Sequence, residues 1–287
     1  MRIARDLDSL RREAAALRAA AGGGALALVP TMGALHAGHL ALVAAARRAA
    51  PVVAVSIFVN PLQFGPHEDL ATYPRDEEGD LAKLRGAGCD LVWLPSVEAM
   101  YPPGSVTVVE VAGPPAEGFE GAHRPGHFRG VATVCAKLFL QTGAEVALFG
   151  EKDWQQLQVV RRMVRDLDLP VRIEPVPTVR EADGLALSSR NRFLTAEERA
   201  RAPLLAASLR EAAAALAAGG PAAPVLAEAT AALAAAGFAV DYFALVEAES
   251  LRPIEALGDR PARLVAAARL GRVRLLDNIG VPPPEGR

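Results

Sequence analysis

The chain has 287 residues, half of them apolar, and a formal net charge of −2. That length suits one large α/β domain with a smaller companion, and the charge gives no basic field for nucleic acid. An anionic substrate therefore has to be met by local donors. Two cysteines, Cys89 and Cys135, form no disulfide framework and no CxxC spacing for zinc, and are expected as small buried residues in a reducing compartment. The opening MRIARDLDSLRRE is charged from its second residue and lacks the apolar core of a secretory leader. No long apolar stretch occurs without being alanine-rich, so no spanning helix is expected. The expectation is a cytoplasmic chain that contacts neither membrane nor nucleic acid.

In chain order, residues 25–30 (ALALVP) read as a strand, and 38–50 as a helix with Leu40, Val43 and Ala44 on one side and Arg47 and Arg48 towards solvent. Residues 52–59 (VVAVSIFV) are nearly all apolar, as in a parallel strand covered on both faces. A helix over 77–87, a strand over 90–94 and an irregular Pro/Gly-rich region to Gly126 follow. Then come a helix over 131–140, a strand over 146–149, a helix over 154–167 and a strand over 171–176. This alternation predicts a Rossmann-like, doubly wound parallel sheet. After Asp183 the character changes. Residues 195–218 read as one alanine-rich helix with a Thr195–Glu198 capping box, broken at Gly219-Gly220-Pro221 before a second helix to Ala235. Short strands over 241–246, 263–269 and 273–277 complete a smaller α+β domain. The expected division is 1–183 and 184–287, with a disordered tail from Pro282.

Ligands of such sheets bind beyond the carboxyl ends of the strands, and four polar clusters fall there. In PTMGALHAGH (residues 30–39) a strand passes through a Gly33 turn into a helix starting near Gly38. Helix-start amides suit phosphate, and His36 and His39, three apart, can face one ligand. The alternatives are a plain turn or a histidine metal pair, although no carboxylate or third histidine sits nearby in sequence. In NPLQF, Asn60 and Gln63 offer neutral donors and acceptors for a small substrate; Asn-Pro turn chemistry accounts equally well for Asn60. In GEKDWQQ, Lys152 is a point charge near a helix start, in a chain with only three lysines. Asp153 doubles as an ordinary N-cap there, and Gln156 lies one turn into the helix. In DGLALSSRN, hydroxyls and the Arg190 guanidinium suit polyphosphate at a domain boundary. The basic stretch from His123 to Gly130 either faces the same cleft or forms a surface loop.

Together these residues resemble the pantoate–β-alanine ligases (pantothenate synthetases), in the class I synthetase and nucleotidyltransferase superfamily. PTMGALHAGH is similar to the superfamily's HxGH motif. SIFVNPLQF, RPGHFRGV, LFGEKDWQQL and DGLALSSRN match further family segments in order, and LSSRN stands where the superfamily has its KMSKS loop. The resemblance implies an ATP-dependent ligase that makes pantothenate, AMP and pyrophosphate through a pantoyl adenylate. It implies an ATP site of Met32, Gly33, Ala34, Leu35, His36, Ala37, Gly38, His39, Gly150, Glu151, Lys152, Asp153, Val179, Leu187, Ser188, Ser189 and Arg190. Among these His36, His39, Lys152 and Arg190 would be catalytic, with His39 in the proton-donor position. Asn60, Gln63 and Gln156 would bind substrate, Gln63 and Gln156 holding pantoate and Gln63 later β-alanine. Mg²⁺ would accompany ATP without a dedicated carboxylate cage, and the family implies a homodimer. Two rivals remain from the residues alone. One is a nucleotidyltransferase acting on a phosphorylated acceptor, which the neutral amides of NPLQF suit poorly. The other is a non-catalytic nucleotide-binding regulator.

Overall fold

A computed structural model of the chain describes residues 1–66 and 68–282. The expectation for the tail falls mainly on residues 283–287, outside the described residues. The elements are β1 (Arg2–Ala4), α1 (Leu7–Ala20), β2 (Leu26–Thr31), α2 (Ala37–Ala49), β3 (Val52–Ile57), α3 (Glu77–Gly86) and β4 (Leu91–Trp93). The short helices α4 (Val97–Met100), α5 (Pro114–Glu117) and α6 (Glu120–His123) precede α7 (His127–Thr142). Next come β5 (Val146–Gly150), α8 (Trp154–Asp166), β6 (Arg172–Val176), α9 (Ala196–Arg201), α10 (Leu204–Ala217) and α11 (Ala222–Ala235). The chain then forms β7 (Ala239–Glu247), β8 (Ala262–Leu270) and β9 (Val273–Val281).

Six parallel strands pair in the order β1-β4-β3-β2-β5-β6. Alternate residues of each strand serve opposite layers. Leu26 and Leu28 of β2 pack in the core shared with α1, α7 and α8, while Ala27 and Val29 pack against α2 and α3. The chain runs outward from β2 to β3 and β4, then crosses back to place β5 on β2's other side. The strand order therefore reverses between β2 and β5, and a ligand crevice opens at their carboxyl ends, Thr31 and Gly150. Strands β7, β8 and β9 form an antiparallel sheet under α10 and α11, with its own core around Leu209, Leu233, Phe243 and Leu264.

Several expectations are corrected. The opening segment forms β1 and α1, the latter capped by Asp6. The single helix over 195–218 is two, because Pro203 has no N–H to continue α9. Helix α7 starts at His127, not Val131, because Gly126 takes a left-handed conformation (φ 81°) that turns the chain into it. The region before Gly126 holds three one-turn helices where none was expected. No helix among the described residues is long and apolar enough to cross a membrane.

Candidate active site

The loop after β2 is set by side chains behind it. Thr31 Oγ1 donates to the Ser56 carbonyl at 2.7 Å, joining the ends of β2 and β3. The buried carboxylate of Asp80, on α3, receives the amides of Ala34 and Leu35, each at 2.7 Å. Ala34 adopts φ 50°, a left-handed conformation that these bonds hold in place. The amides of Ala34 and Leu35 are thus occupied by the Asp80 carboxylate. Gly33, Ala34 and Leu35 form a buried support for the loop, and none of them lines the cavity.

The histidines cap α2 reciprocally. His36 Nδ1 accepts from the Gly38 amide at 3.1 Å, and His39 Nδ1 accepts from the His36 amide at 3.2 Å. An accepting Nδ1 assigns the proton of each neutral ring to Nε2. The rings sit 4.1 Å apart between centroids. Burial and the nearby Lys152 hold His36 down to about 4, and burial with the neighbouring His36 holds His39 down to about 3. Both are neutral at physiological pH and present Nε2–H as a donor. A Cβ on Gly38 would lie 2.9 Å from the His36 ring, so the glycine between the histidines is what lets the cap form.

Both rings line a cavity of about 270 Å³ at the β2/β5 crevice, adjoined by a second of about 800 Å³ that shares Lys152, Asp153, Ser188 and Arg190. Of the residues named from sequence, Met32, His36, Gly38, His39, Asn60, Gln63, Gly150, Lys152, Asp153, Gln156, Val179, Leu187, Ser188, Ser189 and Arg190 line the first. Ala37 and Glu151 do not. Ala37 is exposed, and the Glu151 carboxylate pairs with Arg263 at 3.4 Å.

Gln63 is held at its amide oxygen by Asn60 Nδ2 (3.0 Å), while its Nε2 rests on Met32 Sδ at 3.3 Å. A thioether is a weak acceptor, readily replaced by a substrate oxygen. Asn60 lines the cavity, and its amide is engaged on both sides. It is 1% exposed, caps the turn at Leu62, receives the Tyr101 hydroxyl at 2.8 Å and donates to the Gly130 carbonyl at 3.0 Å. Gln156 lies on the cavity wall with no side-chain partner among the described residues.

Lys152 Nζ lies 3.2 Å from Asp153 Oδ1, and Asp153 makes no capping bond to α8, contrary to its N-cap reading. Ser188 caps the short turn that carries Arg190, and Ser189 Oγ donates to the Ala34 carbonyl at 3.2 Å. Arg190 forms a two-point pair with Asp69 (2.8 and 2.9 Å) beside the Tyr73 ring. The Leu187 amide donates to the Val179 carbonyl at 3.0 Å, bringing two distant parts of the ATP-site reading side by side.

Sequence reasoning misses Asp80, and it also misses the contribution of β9. Asn278 Nδ2 donates to the Glu151 and Lys152 carbonyls (2.9 and 2.8 Å), and Asp277 clamps Arg180. Gln155 escapes it too; it holds the Glu120 amide and the Gly118 carbonyl. Each contact spans more than thirty residues, beyond any local pattern. The basic stretch faces the cleft, where Arg124, His127 and Phe128 join the lining.

A parallel α/β sheet whose order reverses beside an HxGH helix start is the architecture of the synthetase and nucleotidyltransferase type. The chain belongs to the pantoate–β-alanine ligase family, whose model matches residues 2–280. It is 59% identical over 281 residues to a pantothenate synthetase of Acidiphilium cryptum, covering 98% of this chain and all of that one. Pantothenate synthetase from Thermus thermophilus superposes with a TM-score of 0.92 at 51% identity, covering 99% of this chain and all of that one. A pantoate–β-alanine ligase from Francisella tularensis, crystallised with beta-gamma ATP and β-alanine, gives 0.81 at 32%, covering 98% and 97%.

Proposed function

We propose that the chain activates the carboxylate of pantoate with ATP and passes the acyl group to β-alanine, giving pantothenate, AMP and pyrophosphate. A carboxylate oxygen attacks the α-phosphorus and pyrophosphate leaves. The amine of β-alanine then attacks the acyl carbon, loses a proton and expels AMP. The task in the first step is to align two anions and to stabilise charge gathering on phosphate oxygens.

The observation that carries this reading is the pair of Nε2–H donors on His36 and His39, beside Lys152 and on the same cavity as Gln63 and Gln156. Neutral imidazoles donate to phosphate without a proton having first to be acquired, and Lys152 adds a full charge. The neutral amides across the cavity suit the hydroxyls and carboxylate of pantoate better than a phosphorylated acceptor. The beta-gamma ATP and β-alanine complex of the Francisella relative supports ATP and β-alanine as two of these substrates. Arg190, with Ser188 and Ser189, would meet the pyrophosphate end by exchanging Asp69 for phosphate oxygens.

Mg²⁺ enters with ATP as its counter-ion. Asp153 is a carboxylate on the cavity wall, and no group of three or more His, Cys, Asp or Glu among the described residues forms a cage. The fit is therefore to an ion held by phosphates and water. Residues 184–287 would act as a lid that shields the labile adenylate from water. The active form would be a cytoplasmic homodimer, as the family resemblance implies.

Isotope exchange between pyrophosphate and ATP tests the reading. Exchange that depends on pantoate is expected; a lack of exchange with any carboxylic acid overturns it.

A further inference from the structure

A largely buried run of polar contacts, with Arg124, Glu68, Arg274 and Asp241 each partly exposed, links the C-terminal sheet to Gln63. Arg274 on β9 is clamped by Asp241 on β7 (2.6 Å) and by Glu120 on α6, whose Oε2 receives Nη1 at 2.9 Å. Glu120 Oε1 accepts the Tyr242 hydroxyl at 2.9 Å, and the carboxylate is only 5% exposed. One helical turn on, Arg124 lies 3.7 Å from Glu120. Its guanidinium forks onto Glu68 (2.8 and 2.7 Å) and meets His127 Nε2 at 3.0 Å.

An arginine can only donate, so His127 Nε2 is an acceptor and the ring proton lies on Nδ1. There it is donated to the Gln63 carbonyl at 2.9 Å. Burial and the adjacent Arg124 hold His127 down to about 4, so this neutral tautomer persists at physiological pH. Each nitrogen of Arg124 already has a partner, which fits a support better than a ligand for a substrate carboxylate.

We infer that His127 is a positioning residue for Gln63, and that Arg124 and Glu120 tie its hold to the seating of the C-terminal sheet. The acid-binding amide is then set when Tyr242 and Arg274 are docked on α6. This inference rests on the reading of Gln63 as a pantoate ligand.

Pantoate-dependent ATP–pyrophosphate exchange provides the test, with KM for pantoate and for ATP measured separately. His127→Leu is expected to raise the pantoate KM about tenfold, the worth of one buried hydrogen bond, and to leave the ATP KM unchanged. His127→Asn, whose amide can still donate to the Gln63 carbonyl, is expected to return it to within about threefold. Glu120→Gln keeps an acceptor for Tyr242 but loses the charge. It should raise the pantoate KM about threefold alone and no further in the His127→Leu background, as members of one unit do. Parallel rises in both KM values, full additivity or no rescue by asparagine would overturn the inference. Should His127→Leu fail to fold, Glu120→Gln decides alone: a split between the two KM values supports the link and parallel change overturns it. Absence of pantoate-dependent exchange in the unsubstituted chain removes the site reading and the link together. Normal exchange with unsplit variants removes only the link.

Discussion

His39 accepts the backbone amide of His36 through Nδ1, and His36 in turn accepts that of Gly38, so the two imidazoles that line the cavity are also the caps of their own helix. A cap normally uses a short side chain such as Ser or Asp. Using imidazoles fixes the tautomer, and it leaves Nε2–H aimed away from the backbone.

The two duties of His39 separate by substitution. Asparagine carries an acceptor about where Nδ1 lies and nothing where Nε2–H lies. His39→Asn should therefore keep thermal stability close to that of the parent while lowering single-turnover adenylation about 10²-fold or more. His39→Ala should lose both, with about 1 kcal/mol of stability removed along with the cap. Near-normal adenylation by the asparagine variant would take Nε2–H out of the chemistry.

Acid should act on stability before it acts on the histidines of the folded protein. His36 and His127 are held down to about 4 and His39 to about 3, against an ordinary value of about 6.5 in the unfolded chain. Between those limits the unfolded chain binds more protons, so stability falls as pH drops from about 6.5 towards 4. Urea midpoints across pH 4–8 should show this decline. Imidazole NMR shifts of His39 in the ligand-free protein should stay flat through pH 6.5, and a midpoint near 6.5 would contradict the buried neutral cap.

Asp80→Asn replaces one of two acceptors by an amide that confronts a backbone N–H. A destabilisation of about 1–3 kcal/mol is expected, with weaker ATP binding as the loop from Gly33 to Leu35 loses its anchor. Calorimetry and exchange at varied ATP report the two effects. Unchanged ATP dependence would mean that the loop holds its shape without the carboxylate.

Gly130 sits where α7 meets the turn bearing Gln63, and a Cβ there would overlap the Leu62 carbonyl and the Gln63 amide. Gly130→Ala should push that turn away, at a steric cost of about 1–3 kcal/mol. The pantoate KM should rise more than the ATP KM. Equal effects on both would show that the strain is relieved elsewhere.

Much of this architecture is legible in the sequence because its determinants are local. The apolar run from Val52 and the strand–turn–helix of PTMGALHAGH state their structure within ten residues. Gln63 and Lys152 stand out as polar groups just beyond strand ends, a place that fold rules reserve for ligands, and Arg190 as a cation in the polar segment between the two sheets. Asp80 reads as one more acid in a charged helix, since only the tertiary fold brings it to Ala34. The hold of Asn60 on Tyr101 and Gly130 is not legible locally, because these partners lie 41 and 70 residues away. Strand β1 and helix α1 escape notice because a three-residue strand gives too short a pattern to separate from a charged terminus.

The turn that carries Lys152 grows out of one half of the chain and is fastened by the other. Its Glu151 and Lys152 carbonyls have Asn278 as their donor, more than a hundred residues further on. A fragment ending near residue 183 would keep the residues of every parallel strand and both histidines, yet leave the lysine on an untethered elbow. Reassembling the two halves in a tube, as separately expressed pieces, would then restore the placement of a side chain that the added piece does not itself contain.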